Sequence, residues 1–287
     1  MRHLMLILPL ISCNGGSDTD PAETDTDTDT DDQRTIDNCE GTVGDDVPDF
    51  FKKYFHCVDI EMVGTDSVKI TTEGLPPHAS YYWGEGDPNY AEFNYDRGSD
   101  YHPNPNSLSA QNVSYTIELD PTSRGLTIAS SMVDTVANTD SNEYKMGPAG
   151  VAIDSVMIFN DQAGPGDDIN DEKFTFDDYN GHPANAGDYH YHTETEGPLE
   201  VMQAIGEGDA ELYGMMCDGA LVLGCTELDG STPSTGDFDA QNGHSGDISD
   251  GTTTYFTGRY HTHVCATYTE HLFTPEIQFY SDCNVAQ

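Results

Sequence analysis

Residues 151–160, VAIDSVMIFN, and residues 215–224, MMCDGALVLG, are two versions of one pattern. Each sets an aspartate, Asp154 or Asp218, ahead of a small residue and an apolar run. YNGHPANAGDYHYHT follows the first, and QNGHSGDISDGTTTYFTGRYHTHV follows the second. Both therefore run aspartate, apolar strand, acidic loop, Asn-Gly-His, turn, Tyr-His-x-His. Asp154 precedes His182 by 28 positions and Asp218 precedes His244 by 26. His182 precedes His190 by 8 and His244 precedes His261 by 17, so the second copy carries an insertion in a Gly/Asp/Thr loop. Four matched features in one order mark a tandem duplication, which constrains residues 146–287 to a pseudo-twofold arrangement.

The rest of the pattern is β. VDIEMV, SVKITT, VSYTIEL and LTIAS, between residues 58 and 130, are short, β-branched and partly alternating, with Gly, Pro and Asn between them. Helical periodicity is confined to GPLEVMQAIGEG, with Pro198 near its start and Gly206 past its end. The fold class is mainly β, a β-sandwich-like or mixed-sheet domain with an internal duplication in its C-terminal half. Residues 38–145 form its β-rich N-terminal part. They include a long loop with Tyr81, Tyr82 and Trp83, which packs on the body or lines a groove.

Histidine is scarce, 11 in 287 residues, yet six fall in the repeats. In a strand, residues two apart share a face, so His190 projects with His192 and His261 with His263, while Tyr189 and Tyr191 point the other way. If the copies pair about their dyad, the four imidazoles converge, and His182 and His244 close in from the Asn-Gly turns. Imidazole is the commonest protein ligand for zinc and copper, and strand-borne H-x-H fixes both rings in advance. The candidate metal ligands are His182, His190, His192, His244, His261 and His263, with Asp154, Asp218, Tyr189, Tyr191 and Tyr260 as supporting groups. The metal is zinc or copper; ligand type does not separate them. Calcium can be held separately by acidic loops such as DQAGPGDDINDE (161–172). The structural alternative is a metal-free hydrogen-bond network of these histidines, tyrosines and aspartates.

YHYH, the preceding NGH, and the paired GVAIDSVMIFN and YGMMCDGALVLG resemble the bacterial YHYH-domain proteins over about residues 146–283. The resemblance implies an exported protein and brings no activity with it. Thr262 stands where the second tyrosine of Tyr-His-Tyr-His is expected, and Met157 and Leu221 stand near a usual proline. Both histidines of the second copy are kept.

The N-terminus agrees with export. A basic start and the apolar run LMLILPLIS end in LISC, which resembles a lipoprotein signal over residues 1–12, with Cys13 as the lipidated residue. Residues 13–37, rich in Asp-Thr alternation, cannot bury enough surface to offset chain entropy and suit an acidic disordered tether. The expected location is the bacterial cell envelope, periplasmic or outer-surface, with the membrane as partner through the lipid. The formal net charge of -42 disfavours nucleic acid as a partner. Six further cysteines, Cys39, Cys57, Cys217, Cys225, Cys265 and Cys283, suit three disulfides, and pairing of sequence neighbours is the simplest arrangement.

These features leave open whether the chain is an enzyme. A metal with a vacant position would suit a hydrolase or an oxidase, with Asp154, Asp218 or Glu194 as base and Tyr191 nearby. The chain contains no GxSxG, HExxH or phosphate-binding loop. The non-catalytic alternative is a surface module that binds glycans or a protein partner through the aromatic loop 81–101, with the partner, small molecule or protein, unknown.

Overall fold

The computed structural model describes residues 33–133, 144–164, 167–267 and 274–287. The signal segment, Cys13 and most of the tether lie outside the described residues. The compact unit that contains the strands begins at Gln33, where Arg34 N–H already donates to Asn89 Oδ1 at 2.7 Å.

Alternation in the N-terminal part yields β1 (Asp59–Val63), β2 (Ser67–Thr72) and β3 (Val113–Glu118). In β2 and β3 every second residue is buried, as one-sided strands require. They form an antiparallel sheet of order β1-β2-β3-β12, whose last strand is the C-terminal Asn284–Ala286. That return explains one departure from expectation. LTIAS, 126–130, forms no strand because β12 takes the free edge of β3. A second departure is a short helix, α1 (Asp49–Tyr54), whose Phe50, Phe51 and Tyr54 are buried.

The repeats build an eight-stranded sheet. β4 (Pro148–Ala152) and β5 (Met157–Phe159) form a hairpin with Asp154 and Ser155 at its tip. β8 (Leu212–Met216) and β9 (Leu221–Leu223) form its copy, with Asp218 and Gly219 at the tip. Each aspartate accepts from the backbone N–H two residues on, Val156 at 3.3 Å or Ala220 at 3.0 Å. The residue after it takes positive φ, 78° at Ser155 and 96° at Gly219. The small residue after each aspartate therefore makes the turn. β5, β8 and β9 are buried along their whole length and β4 at every residue but Pro148, which accounts for their continuous apolar runs.

Beyond the hairpins come β6 (Gly181–Pro183) with β7 (Tyr189–Tyr191), and β10 (Gly243–Ser249) with β11 (Thr254–His263). The strand order is β10-β11-β9-β8-β4-β5-β7-β6. Outward from the antiparallel β4/β8 pair, both halves have the same sequence of strands. The pseudo-dyad therefore passes between β4 and β8. α2 (Glu196–Ala204) follows the first unit, where the sequence predicts it. One apolar core runs through both sheets, from Val68, Ile70, Tyr115 and Ile117 to Val151, Met157, Met215 and Leu221.

Three disulfides close the fold. Cys39–Cys57 joins sequence neighbours, but the other two are Cys217–Cys283 and Cys225–Cys265. Neighbour pairing fails because topology overrides separation. β9 and β11 run parallel with Leu223 opposite His263, so Cys225 and Cys265 leave the sheet side by side. By loop-closure entropy, Cys225→Ala/Cys265→Ala is expected to cost about 4 kcal/mol. Urea unfolding checks this, and an unchanged midpoint would contradict it.

Candidate metal centres

The six repeat histidines come together in two threes, not in one cluster. His182, His190 and His192 meet where β6 and β7 edge the large sheet. His244, His261 and His263 meet at the β10/β11 edge, joined there by Glu227. The hairpins meet at the dyad, so the histidine strands lie at opposite ends. Among the described residues, these are the two places where three or more His, Cys, Asp or Glu donors are within reach of one ion. The described residues of the acidic loop 161–172 form no such place.

Equivalent carbonyls fix the rings in both copies. His190 Nδ1 lies 2.7 Å from the Asp188 carbonyl, and His261 Nδ1 lies 3.0 Å from that of Arg259, each two residues back. His192 Nδ1 lies 2.5 Å from the Asn160 carbonyl, and His263 Nδ1 lies 2.9 Å from that of Gly224. Asn160 and Gly224 occupy the same repeat position, just past β5 and β9. The Thr175 hydroxyl donates to the Glu172 carbonyl at 2.8 Å, so its oxygen is free to accept from His182 Nδ1 at 2.7 Å. Carbonyls accept only, so in His190, His192, His261 and His263 Nδ1 carries the proton and Nε2 presents a lone pair.

The Nε2 atoms face one another. His190 Nε2 and His192 Nε2 are 2.9 Å apart, and His244 Nε2 and His263 Nε2 are 3.2 Å apart. His182 Nε2 is buried with no hydrogen-bond partner. A proton between the rings is one remedy, but burial opposes it. Desolvation takes the His182 and His190 pKa values well below the ordinary range and those of His192 and His263 down to about 4. Two nitrogens each about 2.0–2.1 Å from a common ion lie about 2.9–3.3 Å apart at angles from square to tetrahedral. The donor sets therefore fit a transition cation.

Packing holds the same geometry in both units. Phe176 stacks on His192 with rings 7° apart, and Phe238 stacks on His263 at 16°. Asn180 and Asn242 both have φ 57°, which turns the chain ahead of Gly181 and Gly243. Asp177 Oδ1 accepts from Gly181 N–H at 3.1 Å and Oδ2 accepts from the Tyr189 hydroxyl at 2.7 Å. Asp239 does the same with Gly243 at 2.9 Å and Tyr260 at 2.7 Å. A Cβ on either glycine would strike the ring of Tyr189 or Tyr260. Gly181→Ala is expected to cost about 1–3 kcal/mol by overpacking and to weaken metal binding at the first triad alone, by titration of each site.

The supporting residues sit elsewhere than the sequence suggests. Tyr189 and Tyr260 brace Asp177 and Asp239. The Tyr191 hydroxyl donates to Asp154 Oδ2 at 2.8 Å and lies 2.9 Å from His78 Nε2, on the strand face away from the triad. Asp218 accepts from the Tyr144 hydroxyl at 2.8 Å and from Phe279 and Tyr280 N–H at 3.0 Å. Glu194 Oε2 accepts from Ala266 N–H. None of these three acids is hydrogen-bonded to a triad histidine. The residues missed by the motifs are Asp177, Asp239, Phe176, Phe238 and Glu227. The first four were available, since FDDYNGH (176–182) and FDAQNGH (238–244) share Phe-Asp-x-x-Asn-Gly-His.

The two sites differ in their carboxylate. Glu227 reaches all three rings: Oε1 is 3.2 Å from His244 Nε2 and 3.7 Å from His263 Nε2, and Oε2 is 3.1 Å from His261 Nε2. Burial alone would raise its pKa, but the His244 and His261 rings beside it outweigh that and hold it well below the usual range. At the first triad, Glu172 stands back, with Oε1 3.9 Å from His182 Nε2 and Oε2 buried without a hydrogen-bond partner. There a cleft of about 770 Å³ opens beside His190 and His192. It is lined by His102, Asn104, Pro105 and Asn106, just past the aromatic loop, which is anchored by the Tyr82 hydroxyl donating to the Thr175 carbonyl at 2.6 Å. Tyr81 and Tyr82 therefore act by packing on the body.

The family model described as YHYH protein matches residues 114–235. The span holds the first triad and the β8–β9 hairpin and ends ahead of His244, His261 and His263. It starts and stops earlier than the extent suggested by the motifs. No significant match was found among curated proteins or solved structures.

Proposed function

This chain carries a YHYH domain, and from that premise we propose that it is a transition-metal protein in which each histidine triad holds one ion. One observation carries the reading. In each unit, buried Nε2 lone pairs converge because carbonyls hold the Nδ1 protons in place. Zinc and copper both accept such nitrogen donors. The tyrosine–aspartate bonds lie within each unit and join Tyr189 to Asp177, Tyr191 to Asp154 and Tyr260 to Asp239, not to the converging Nε2 atoms. A metal-free role for the histidines is therefore the weaker reading.

The protein acts outside the cytoplasm on this reading, as a lipid-anchored domain of the cell envelope. Three disulfides support an oxidising compartment. Among the described residues, no helix is long and apolar enough to cross a membrane. The lipid on Cys13 rests on the sequence alone.

The test is metal content of the folded, disulfide-intact chain after exposure to zinc or copper. Two ions per chain are expected. His190→Ala/His192→Ala and His261→Ala/His263→Ala are each expected to hold one. A folded chain that stays empty would overturn the proposal.

A further inference from the structure

We infer that the two centres are unequal: the first triad is where an external, protic, uncharged or cationic small molecule reaches the metal, and the second is complete within the chain. This rests on the metal reading above. The difference lies in the donors. Glu227 gives the second set a fourth protein ligand, the number that structural sites have, whereas three histidines leave a position for solvent or substrate. The second set is the shallower one, with 15% of the His244 and 22% of the Glu227 side chain exposed. Its completeness therefore comes from its ligands and not from depth.

The surroundings of the first triad indicate what would enter. His182 Nε2, on a residue only 2% exposed, has no partner. His190 and His192 line the cleft directly. The cleft is also lined by Asp168, Asp171 and Glu172, with the amides of Asn104 and Asn106 opposite, and by no lysine or arginine. Such a rim repels anions and offers acceptors to N–H and O–H groups. Glu172, too far to be a ligand in this arrangement, stands within reach of a proton on whatever occupies the vacant position.

Cobalt(II) makes the inequality visible, because its absorption bands change when a ligand is added. The full folded chain would be loaded with cobalt as the two paired histidine variants, so that each keeps one site. Both would be titrated at pH 8 with imidazole, which is neutral and protic, and with azide, an anion without a proton. Saturable shifts are expected in the form that keeps the first triad and none in the form that keeps the second. Glu227→Ala is expected to make the second site respond. Asp171→Asn/Glu172→Gln is expected to lower the azide concentration needed at the first site several-fold and leave imidazole little changed. Equal responses of the two sites would overturn the inequality, and azide binding indifferent to the rim charge would overturn the assigned ligand class, each leaving the metal reading intact. Failure of either form to bind cobalt would overturn both.

Discussion

Chelation is expected to destabilise the metal-loaded chain by about 4 kcal/mol for each site that was held at a thousandfold excess of free metal over its dissociation constant. For a domain of this size, that lowers the thermal midpoint on the order of 10 °C per site. The two losses should be nearly independent, because the triads lie at opposite ends of the eight-stranded sheet. Each paired histidine variant is therefore expected to show about half the chelator effect of the wild type. The double-pair variant should show none. Scanning calorimetry with and without chelator separates these cases, and a midpoint that ignores chelator in the wild type would contradict them.

The second large effect concerns Asp154. Burial raises its carboxyl from 3.8 to about 7, against the opposing hydrogen bonds from Tyr191 and Val156. A carboxyl whose folded pKa exceeds its unfolded value stabilises the fold fully below the unfolded pKa and loses that contribution as pH rises through the folded pKa. The window is thus about pH 4 to 7. Asp154→Asn cannot ionise, so the comparison isolates this group from the histidines, whose lowered pKa values act in the opposite direction. Between pH 5 and pH 8 the wild type is expected to lose on the order of 3 kcal/mol relative to the variant. Urea unfolding at the two pH values measures this, and a pH-independent difference would show that Asp154 stays ionised throughout.

The duplication was the most legible part of the chain. Asp154 and Asp218, the Asn-Gly-His turns and the paired H-x-H strands all occupy equivalent places, and β2 and β3 follow their alternating patterns. The position of the dyad was not legible. Repeats can pair through either end, and the sequence shows no preference between histidine strands meeting at the centre and hairpins meeting there. The buried apolar hairpins settle it, because β4 and β8 need cover on both edges while the edge strands carry polar side chains. One six-histidine site thereby becomes two sites of three. Glu227 was hidden for another reason: it reaches the triad from a loop, 17 residues ahead of His244, and no repeat partner marks it. Cys225–Cys265 likewise depends on the parallel pairing of β9 with β11, which neighbour spacing cannot reveal.

The most direct measurement is X-ray absorption on the zinc-loaded, folded chain and on its two paired histidine variants. A nitrogen and oxygen shell is expected at about 2.0–2.1 Å with the outer scattering of about three imidazoles per ion, at half the zinc content in each variant. A sulfur shell near 2.3 Å, or a shell without imidazole scattering, would contradict it.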